Sequence, residues 1–346
     1  MQENIFIMNI LTRKAMCIVF LGSIYLSLVM LIQHAESNAE EQPNVRKPVV
    51  SGDIRGFYPS TPSKLKEMIN GLLSNTEKHS LSGNPFALIV PHAGYVYSGQ
   101  TAAWGFKQID NLNPEIIFVI GGSHNWHYEG ASVPEYSVYR TPLGSVPVNR
   151  EAIETLLKEN PLIQRNIMFP ANQSFFDKGT ATSVHAVEHS LEVEIPFLQV
   201  IYKNFSIVPV LFGTKNLNAC KSIGKTIGQF CKNNPGCIIV CSTDLTHYPP
   251  YESANSIDKK TLGLITAMDI EKLDSFVKSF PMQKTPNLKT LLCGLPAVFC
   301  TLQAAKEYGA NSAELIDYSN SGNAKPPYAN KDRVVGYGSV LIYKTE

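Results

Sequence analysis

Apolar positions along this chain follow two patterns. Short apolar runs occur at 86–90, 116–120, 205–212 and 237–241. Runs of that length, rich in Ile, Val and Phe, predict strands buried on both faces. Between them lie segments with apolar residues at helical spacing. Residues 62–73 set Leu65, Met68, Ile69 and Leu72 on one face, and further helices are expected over 98–109, 150–157, 190–202, 217–231, 253–268, 271–280 and 294–308. Residues 141–144 read as a turn and 170–184, with Gly, Asn and Ser, as a long loop. Two strands near 313–318 and 334–343 close the chain. Strands alternating with helices predict a single α/β domain whose central sheet is mostly parallel and flanked by helices.

The ends of these strands carry the chemistry. The run 86–90 leads into Pro91-His92-Ala93-Gly94-Tyr95, and 116–120 into Gly121-Gly122-Ser123-His124. The run 237–241 leads into Ser242-Thr243-Asp244-Leu245-Thr246-His247. In an open α/β sheet, loops at the carboxyl ends of strands form the ligand crevice. Histidines on three such loops point to one convergent site, most simply a metal site.

The amino terminus changes where that site is expected to operate. Arg13 and Lys14 precede an uncharged apolar run, 15–32, and Ser37 and Ala39 fit a small-residue cleavage pattern. Residues 1–39 read as a secretory signal peptide or an N-terminal membrane anchor, since the run is just long enough to span a bilayer. The domain is then extracytoplasmic, periplasmic or secreted if the signal is cleaved and membrane-anchored if it is not. Residues 40–50, polar and proline-containing, read as a linker, leaving 51–346 as the α/β domain. Lys+Arg 30 against Asp+Glu 29 gives a net charge of +1, and with no basic run the pattern argues against a nucleic-acid partner. The sequence sets no oligomeric state.

Cys17 lies in the apolar run, leaving six cysteines. Pairs within one predicted element are too far apart to bridge: Cys220 and Cys231 by ~16 Å along a helix, Cys293 and Cys300 by ~10 Å, Cys237 and Cys241 by ~13 Å along a strand. Only pairs across elements survive, such as Cys231 with Cys237 over the Asn233-Asn-Pro-Gly236 turn.

Within the expected crevice His92 and His124 sit on neighbouring strand ends and suit one ion. His127, beside Trp126, would line the pocket. A third ligand could come from Cys293, Glu192, His189, Asp244 or His247. Cys293 precedes Gly294 and a helix, whose amino end favours a thiolate, yet a small buried residue reads the same way. His189 and Glu192 lie three apart, where a carboxylate would fix the imidazole tautomer. Asp244 would orient His247 as a general acid or base. Ser242 as a nucleophile lacks the Gly-x-Ser-x-Gly elbow.

In order along the chain stand Pro91-His-Ala-Gly-Tyr-Val-Tyr-Ser-Gly99, Gly122-Ser-His124, Thr141-Pro-Leu-Gly-Ser-Val-Pro147, Glu188-His-Ser-Leu-Glu-Val-Glu-Ile-Pro-Phe-Leu-Gln199, Ser242-Thr-Asp-Leu-Thr-His-Tyr248, Cys293-Gly294, and Asp317-Tyr-Ser-Asn-Ser-Gly322 with Val334-Val-Gly-Tyr-Gly338. Together these resemble the Memo family, whose bacterial form is called AmmeMemoRadiSam system protein B. The resemblance implies a fold similar to class III extradiol dioxygenases, which use non-haem iron. It implies that His92, His124 and Cys293 hold a metal, iron or copper, with zinc also suited to the donors. It implies that His189, Asp244 and His247 belong to the pocket as catalytic residues, His247 falling where the dioxygenases hold their acid/base histidine. The sequence departs from the family at Ser51-Gly-Asp-Ile-Arg-Gly-Phe-Tyr-Pro59, a short insertion, and at Cys293-Gly-Leu-Pro296, which alters the pocket edge.

Three functions compete on these grounds. One is a metal-binding redox or oxygen-dependent enzyme. Another is an extradiol-type ring-cleaving dioxygenase, for which the usual carboxylate ligand is missing. The last is a non-catalytic module binding a peptide in the same crevice, with Tyr95, Tyr97 and Trp126 as anchors. In each case the partner is a small molecule or a peptide at the strand ends.

Overall fold

Strands that are apolar on both faces need cover on both, and helices supply it here. A computed structural model describes residues 44–80, 82–170 and 181–345. The expected signal or anchor segment, 1–39, lies outside the described residues, as does 171–180 of the expected 170–184 loop.

Along the chain run β1 (Val45–Arg46), α1 (Pro62–Ser74), β2 (Gly83–Val90), α2 (Tyr95–Ile109), β3 (Ile116–Gly122), β4 (Ala131–Val133), β5 (Val138–Thr141), β6 (Gly144–Pro147), α3 (Arg150–Glu159), β7 (Ile163–Arg165), β8 (Met168–Phe169) and β9 (Thr182–Ser183). Then follow α4 (Val184–Val187), α5 (Ile195–Ile201), β10 (Ser206–Phe212), α6 (Leu217–Asn233), β11 (Cys237–Ser242), α7 (Tyr251–Thr266), α8 (Ile270–Ser279), α9 (Leu295–Tyr308), β12 (Ser312–Asn320) and β13 (Gly336–Thr345).

Eight strands form the main sheet in the order β12-β13-β2-β11-β3-β10-β4-β7. The four central strands, β2, β11, β3 and β10, are mutually parallel, with Val240 of β11 in register with Leu88 on one side and Val119 on the other. Antiparallel pairing takes over on both flanks, at β13 against β2 and at β4 against β10. The α/β fold with a mixed, centrally parallel sheet is therefore as expected. Because β2, β11 and β3 are parallel neighbours, His92, the 243–247 loop and His124 all emerge at one edge.

Helix α2 packs on β2, β12 and β13, while α6 and α9 pack on each other beside β3 and β11. The α6–α9 approach is close. A Cβ on Gly224 would lie 2.5 Å from the Cys300 carbonyl oxygen, and one on Gly228 2.5 Å from that of Ala304. The helix expected over 190–202 is instead a 3-10 turn, Glu192–Glu194, followed by α5. Pro196 sits in the first turn of α5, where its missing N–H does no harm but would break a continuing helix. The strands β4 to β7 are too short for a period to show in the sequence. The 141–144 turn is present as the hairpin between β5 and β6.

The linker expected over 40–50 does not hold for its described part. Val45 and Arg46 form β1, parallel to β5, and Arg46 is 1 % exposed. Its guanidinium pairs with the Glu192 carboxylate and donates to the carbonyls of Glu188 and His185. Glu192 also accepts from the Val49 and Val50 amides and from the Tyr58 hydroxyl. Apolar content alone marks this stretch as linker. What folds it in is one cation satisfied by a buried carboxylate and two carbonyls.

Removing one partner of a buried ion pair strands the other charge, at about 3–5 kcal/mol. Arg46→Met is expected to lower unfolding stability by that amount in urea titration, and Arg46→Met with Glu192→Leu by less than the single change. A single-variant loss below about 1 kcal/mol would show the pair to be dispensable.

Candidate metal centre

Three loops and one helix start meet at the carboxyl edge of the sheet. Strand β11 runs between β2 and β3, so its last residue, Ser242, lies beside Val90. This brings the Asp244 carboxylate to the His92 amide, which donates to Oδ1 at 2.9 Å. Cys293 stands one residue before Gly294, the residue that opens α9. Its amide donates to the Asp244 carbonyl at 3.2 Å, and its Sγ accepts from the Asp244 amide at 3.2 Å. Gly294 is required there, because a Cβ would stand 2.6 Å from the Ser242 carbonyl oxygen. The result brings Cys293 Sγ to 3.3 Å from His92 Nε2.

Both imidazoles are anchored through the opposite nitrogen. His92 Nδ1 lies 2.8 Å from Ser242 Oγ, and His124 Nδ1 2.9 Å from Glu188 Oε1. The second Glu188 oxygen accepts from the His124 amide at 2.8 Å, and Oε1 also accepts from the amides of His189 and Ser190 at 3.0 Å. Ser242 Oγ lies 2.6 Å from the Ser190 carbonyl oxygen and 2.7 Å from Glu194 Oε1. A hydroxyl has one proton to give. Burial pushes the Glu194 acid well up, against the pull of the Ser242 hydrogen bond and His92. Glu194 therefore keeps its proton and donates to Ser242, whose own proton goes to the Ser190 carbonyl.

Three donor sets, each within 4.8 Å among its own atoms, share this space: His92, His124 and Cys293; His124, Glu188 and His189; and Asp244, His247 and Cys293. A tetrahedral site with metal–sulfur near 2.3 Å and metal–nitrogen near 2.0 Å has nitrogen–sulfur edges of about 3.5 Å. The 3.3 Å His92–Cys293 separation fits such an edge, and a histidine ligand with its other nitrogen on a carboxylate or hydroxyl is the usual outer shell of a metal site.

Charge in the metal-free site is arranged as cation and thiolate. Burial alone would raise the Cys293 thiol, but the His92 charge and hydrogen bonds from His124, His247 and His92 hold it well below the usual range. Burial lowers His92, and Cys293 and Asp244 overcome it, bringing it to about 9. Burial also lowers His124, which Glu188 and Cys293 raise to about 11. Glu188 is driven well below its usual value by His124 and His189 in spite of burial. His189 goes the other way: burial takes it down to about 3, beyond what Glu188 restores.

The sequence matches the family described as Memo-like protein over residues 46–341. The chain belongs to the Memo family. Among its relatives, a MEMO1 family protein of Nitrosopumilus maritimus is 33% identical over 301 residues, covering 86% of this chain and 98% of that protein. One from Thermotoga neapolitana is 31% identical over 309 residues, covering 86% and 99%. An uncharacterized Escherichia coli K12 protein of known structure aligns at TM-score 0.47 and 14% identity, covering 75% of this chain and 99% of that one.

In this Memo chain the candidate residues divide clearly. His92, His124, Cys293, His189, Asp244 and His247 come together. Rings of His92 and His124 are 5.1 Å apart at their centres, and His124 and His189 4.5 Å. His247 Nε2 is 3.9 Å from Asp244 Oδ2, and its backbone bridges to Thr290 on one side and Val335 on the other. Glu192 does not join them. It faces Arg46, so it is neither a ligand nor the partner of His189. His127 is exposed and outside the three donor sets. Tyr95 cannot anchor a peptide, since it is buried with its hydroxyl on the Val193 carbonyl at 2.6 Å. Trp126 is half-buried against Phe169, and only Tyr97 of the three is exposed. The six cysteines past Cys17 are free thiols.

Glu188, Ser190 and Glu194 are site residues that the sequence alone does not single out. The signal for Glu188 was present in its adjacency to His189, but its partner lies 64 positions away. Ser242, a candidate nucleophile by sequence, instead orients the His92 imidazole.

A thiol of pKa ~8.5 loses roughly 80-fold of its thiolate between pH 8 and pH 6. In metal-free protein, alkylation of Cys293 by iodoacetamide is expected to fall by no more than about threefold over that range. Peptide mapping of the labelled protein measures it, and a fall near the ordinary thiol's would refute the imidazolium–thiolate pairing.

Proposed function

We propose that this Memo-family chain is a metalloprotein in which His92 Nε2, His124 Nε2 and Cys293 Sγ hold a transition metal, iron or copper in preference to zinc, and that it works as a redox or oxygen-dependent enzyme. The observation that carries the reading is the opposed anchoring of the two imidazoles. With each Nδ1 committed to a hydroxyl or carboxylate, both Nε2 atoms are left to converge on one thiolate. Such an ion would supply electron transfer and Lewis acidity at the crevice.

The chain's own residues supply the rest. His92 and Cys293 give up or share the proton between them on metal binding, so affinity falls as pH drops. His189, neutral at physiological pH, has its buried Nδ1 3.2 Å from Glu188 Oε1 without hydrogen-bond geometry, and His247 Nε2 faces the Cys293 thiolate and the Asp244 carboxylate. These two atoms flank the donor set, and we assign them proton transfer to and from a bound small molecule or peptide, with Asp244 steering His247. Glu188 is not a ligand in this reading, since its oxygens already accept four hydrogen bonds. The apolar run at 15–32 supports export, so the domain is proposed to act outside the cytoplasm, released or anchored.

The test is metal content by mass spectrometry after anaerobic purification. Near-stoichiometric iron or copper is expected in the wild type and its loss in His92→Ala, His124→Ala and Cys293→Ser. Glu188→Gln is expected to weaken affinity about 10–100-fold. A wild type that takes up no metal under reducing conditions, or variants that retain it, would overturn the proposal.

A further inference from the structure

Away from the crevice, at the opposite end of β11, two thiols face each other. Cys231 lies in the last turn of α6 and Cys237 is the first residue of β11. Their Sγ atoms are 2.9 Å apart, closer than two sulfurs in ordinary contact and about 0.9 Å beyond a covalent S–S bond. The connection between them is short and tied at both ends. The Asn234 amide donates to the Cys231 carbonyl, the Glu115 amide donates to the Gly236 carbonyl, and Gly236 takes φ +87°, which a side chain would resist. No large motion separates this geometry from a bond, because the turn already holds α6 and β11 in place.

Both thiols are buried, Cys237 slightly the less. Cys231 is 1 % exposed and Cys237 6 %. The turn residues Asn233 and Asn234 border a cleft of about 660 Å³ that also runs past Ile116 and Phe230. The other described thiols beyond the crevice, Cys220, Cys241 and Cys300, are fully buried. Neither Cys231 nor Cys237 belongs to the metal-donor sets.

We propose that Cys231 and Cys237 are a redox modification site that closes to an intramolecular disulfide by exchange with a small-molecule disulfide. Cys237, the less buried residue of the two, loses its proton and attacks the reagent R–S–S–R, releasing one RS⁻. Cys231 then loses its proton and attacks the mixed disulfide at the Cys237 sulfur, releasing the second RS⁻. Two protein thiols are oxidised, one external disulfide is reduced to two thiols, and the two protons end on them. The bond staples the end of α6 to the start of β11. It consumes no sulfur of the crevice.

The full chain is incubated with oxidised glutathione, alkylated and digested with trypsin. Cleavage after Lys232 separates the two cysteines, giving peptides 226–232 and 233–259. The expected product is these two joined, lighter by two hydrogens than the free pair, with fragmentation assigning the bond to Cys237 rather than Cys241. In thermal unfolding the oxidised protein is expected to gain about 3 °C over the reduced protein, a gain erased by reductant and absent from both Cys231→Ser and Cys237→Ser. Both cysteines alkylated at every glutathione ratio would overturn the proposal, as would glutathione retained on Cys237 or a bond assigned to Cys241. Peptide mapping of the wild type decides the matter even if a serine variant folds poorly.

Discussion

The crevice depends on a buried ion pair that is not part of it. Arg46 and Glu192 meet inside the protein, and Arg46 also takes the carbonyls of His185 and Glu188. One guanidinium thus fixes the backbone from 185 to 192. That short stretch and the two residues after it supply every anchor behind the imidazoles: Glu188 for His124, and the Ser190 carbonyl and Glu194 for Ser242, which holds His92. A buried pair of this kind is a weak source of stability relative to an apolar substitute. Its use here is geometric, because it sets where two carboxyl groups and a carbonyl stand relative to two strand ends.

The electrostatics follow from that frame. Two carboxyl groups from one segment end in opposite states because their surroundings differ. Glu188 sees His124, His189 and backbone amides, and stays charged. Glu194 is fully buried with a hydroxyl as its hydrogen-bond partner, and burial holds its acid well up in spite of His92. The charged one gives His124 its raised basicity. The neutral one completes the hydrogen bonding of Ser242 without placing a second negative charge beside the thiolate. His189, between them in sequence, stays neutral, its Nδ1 near Glu188 but without hydrogen-bond geometry.

How far the sequence could be read follows from the range of each interaction. The parallel strands announce themselves locally, as runs of apolar residues, and so do His92, His124 and His247 at their ends. Cys293 does not, since a thiol before a helix is equally a core residue by spacing, and the family resemblance was needed to single it out. Glu192 reads as a ligand because acids and imidazoles three apart share a helix face, yet it opens a 3-10 turn ahead of α5 and its carboxylate turns to Arg46. Arg46 itself was hidden in a polar, proline-containing stretch that reads as linker. Partnerships across 64 or 146 positions leave no local pattern. A period needs several turns or alternations to be seen, which β4 to β7 never provide.

The order of strands in the sheet has a consequence for when the site comes into being. Strand β11 is the fourth of the central strands to be synthesised, yet it lies between the first two, β2 and β3. Until residue 242 has left the ribosome, those two strands have no neighbour to hold them one strand apart, about 10 Å, and their histidines have no common wall. The thiolate arrives another fifty residues later. A nascent chain therefore passes most of its length with scattered donors and no place for an ion, and the site can be complete only once residue 293 has been made. Whichever compartment completes the fold also sets which metals are available to fill it.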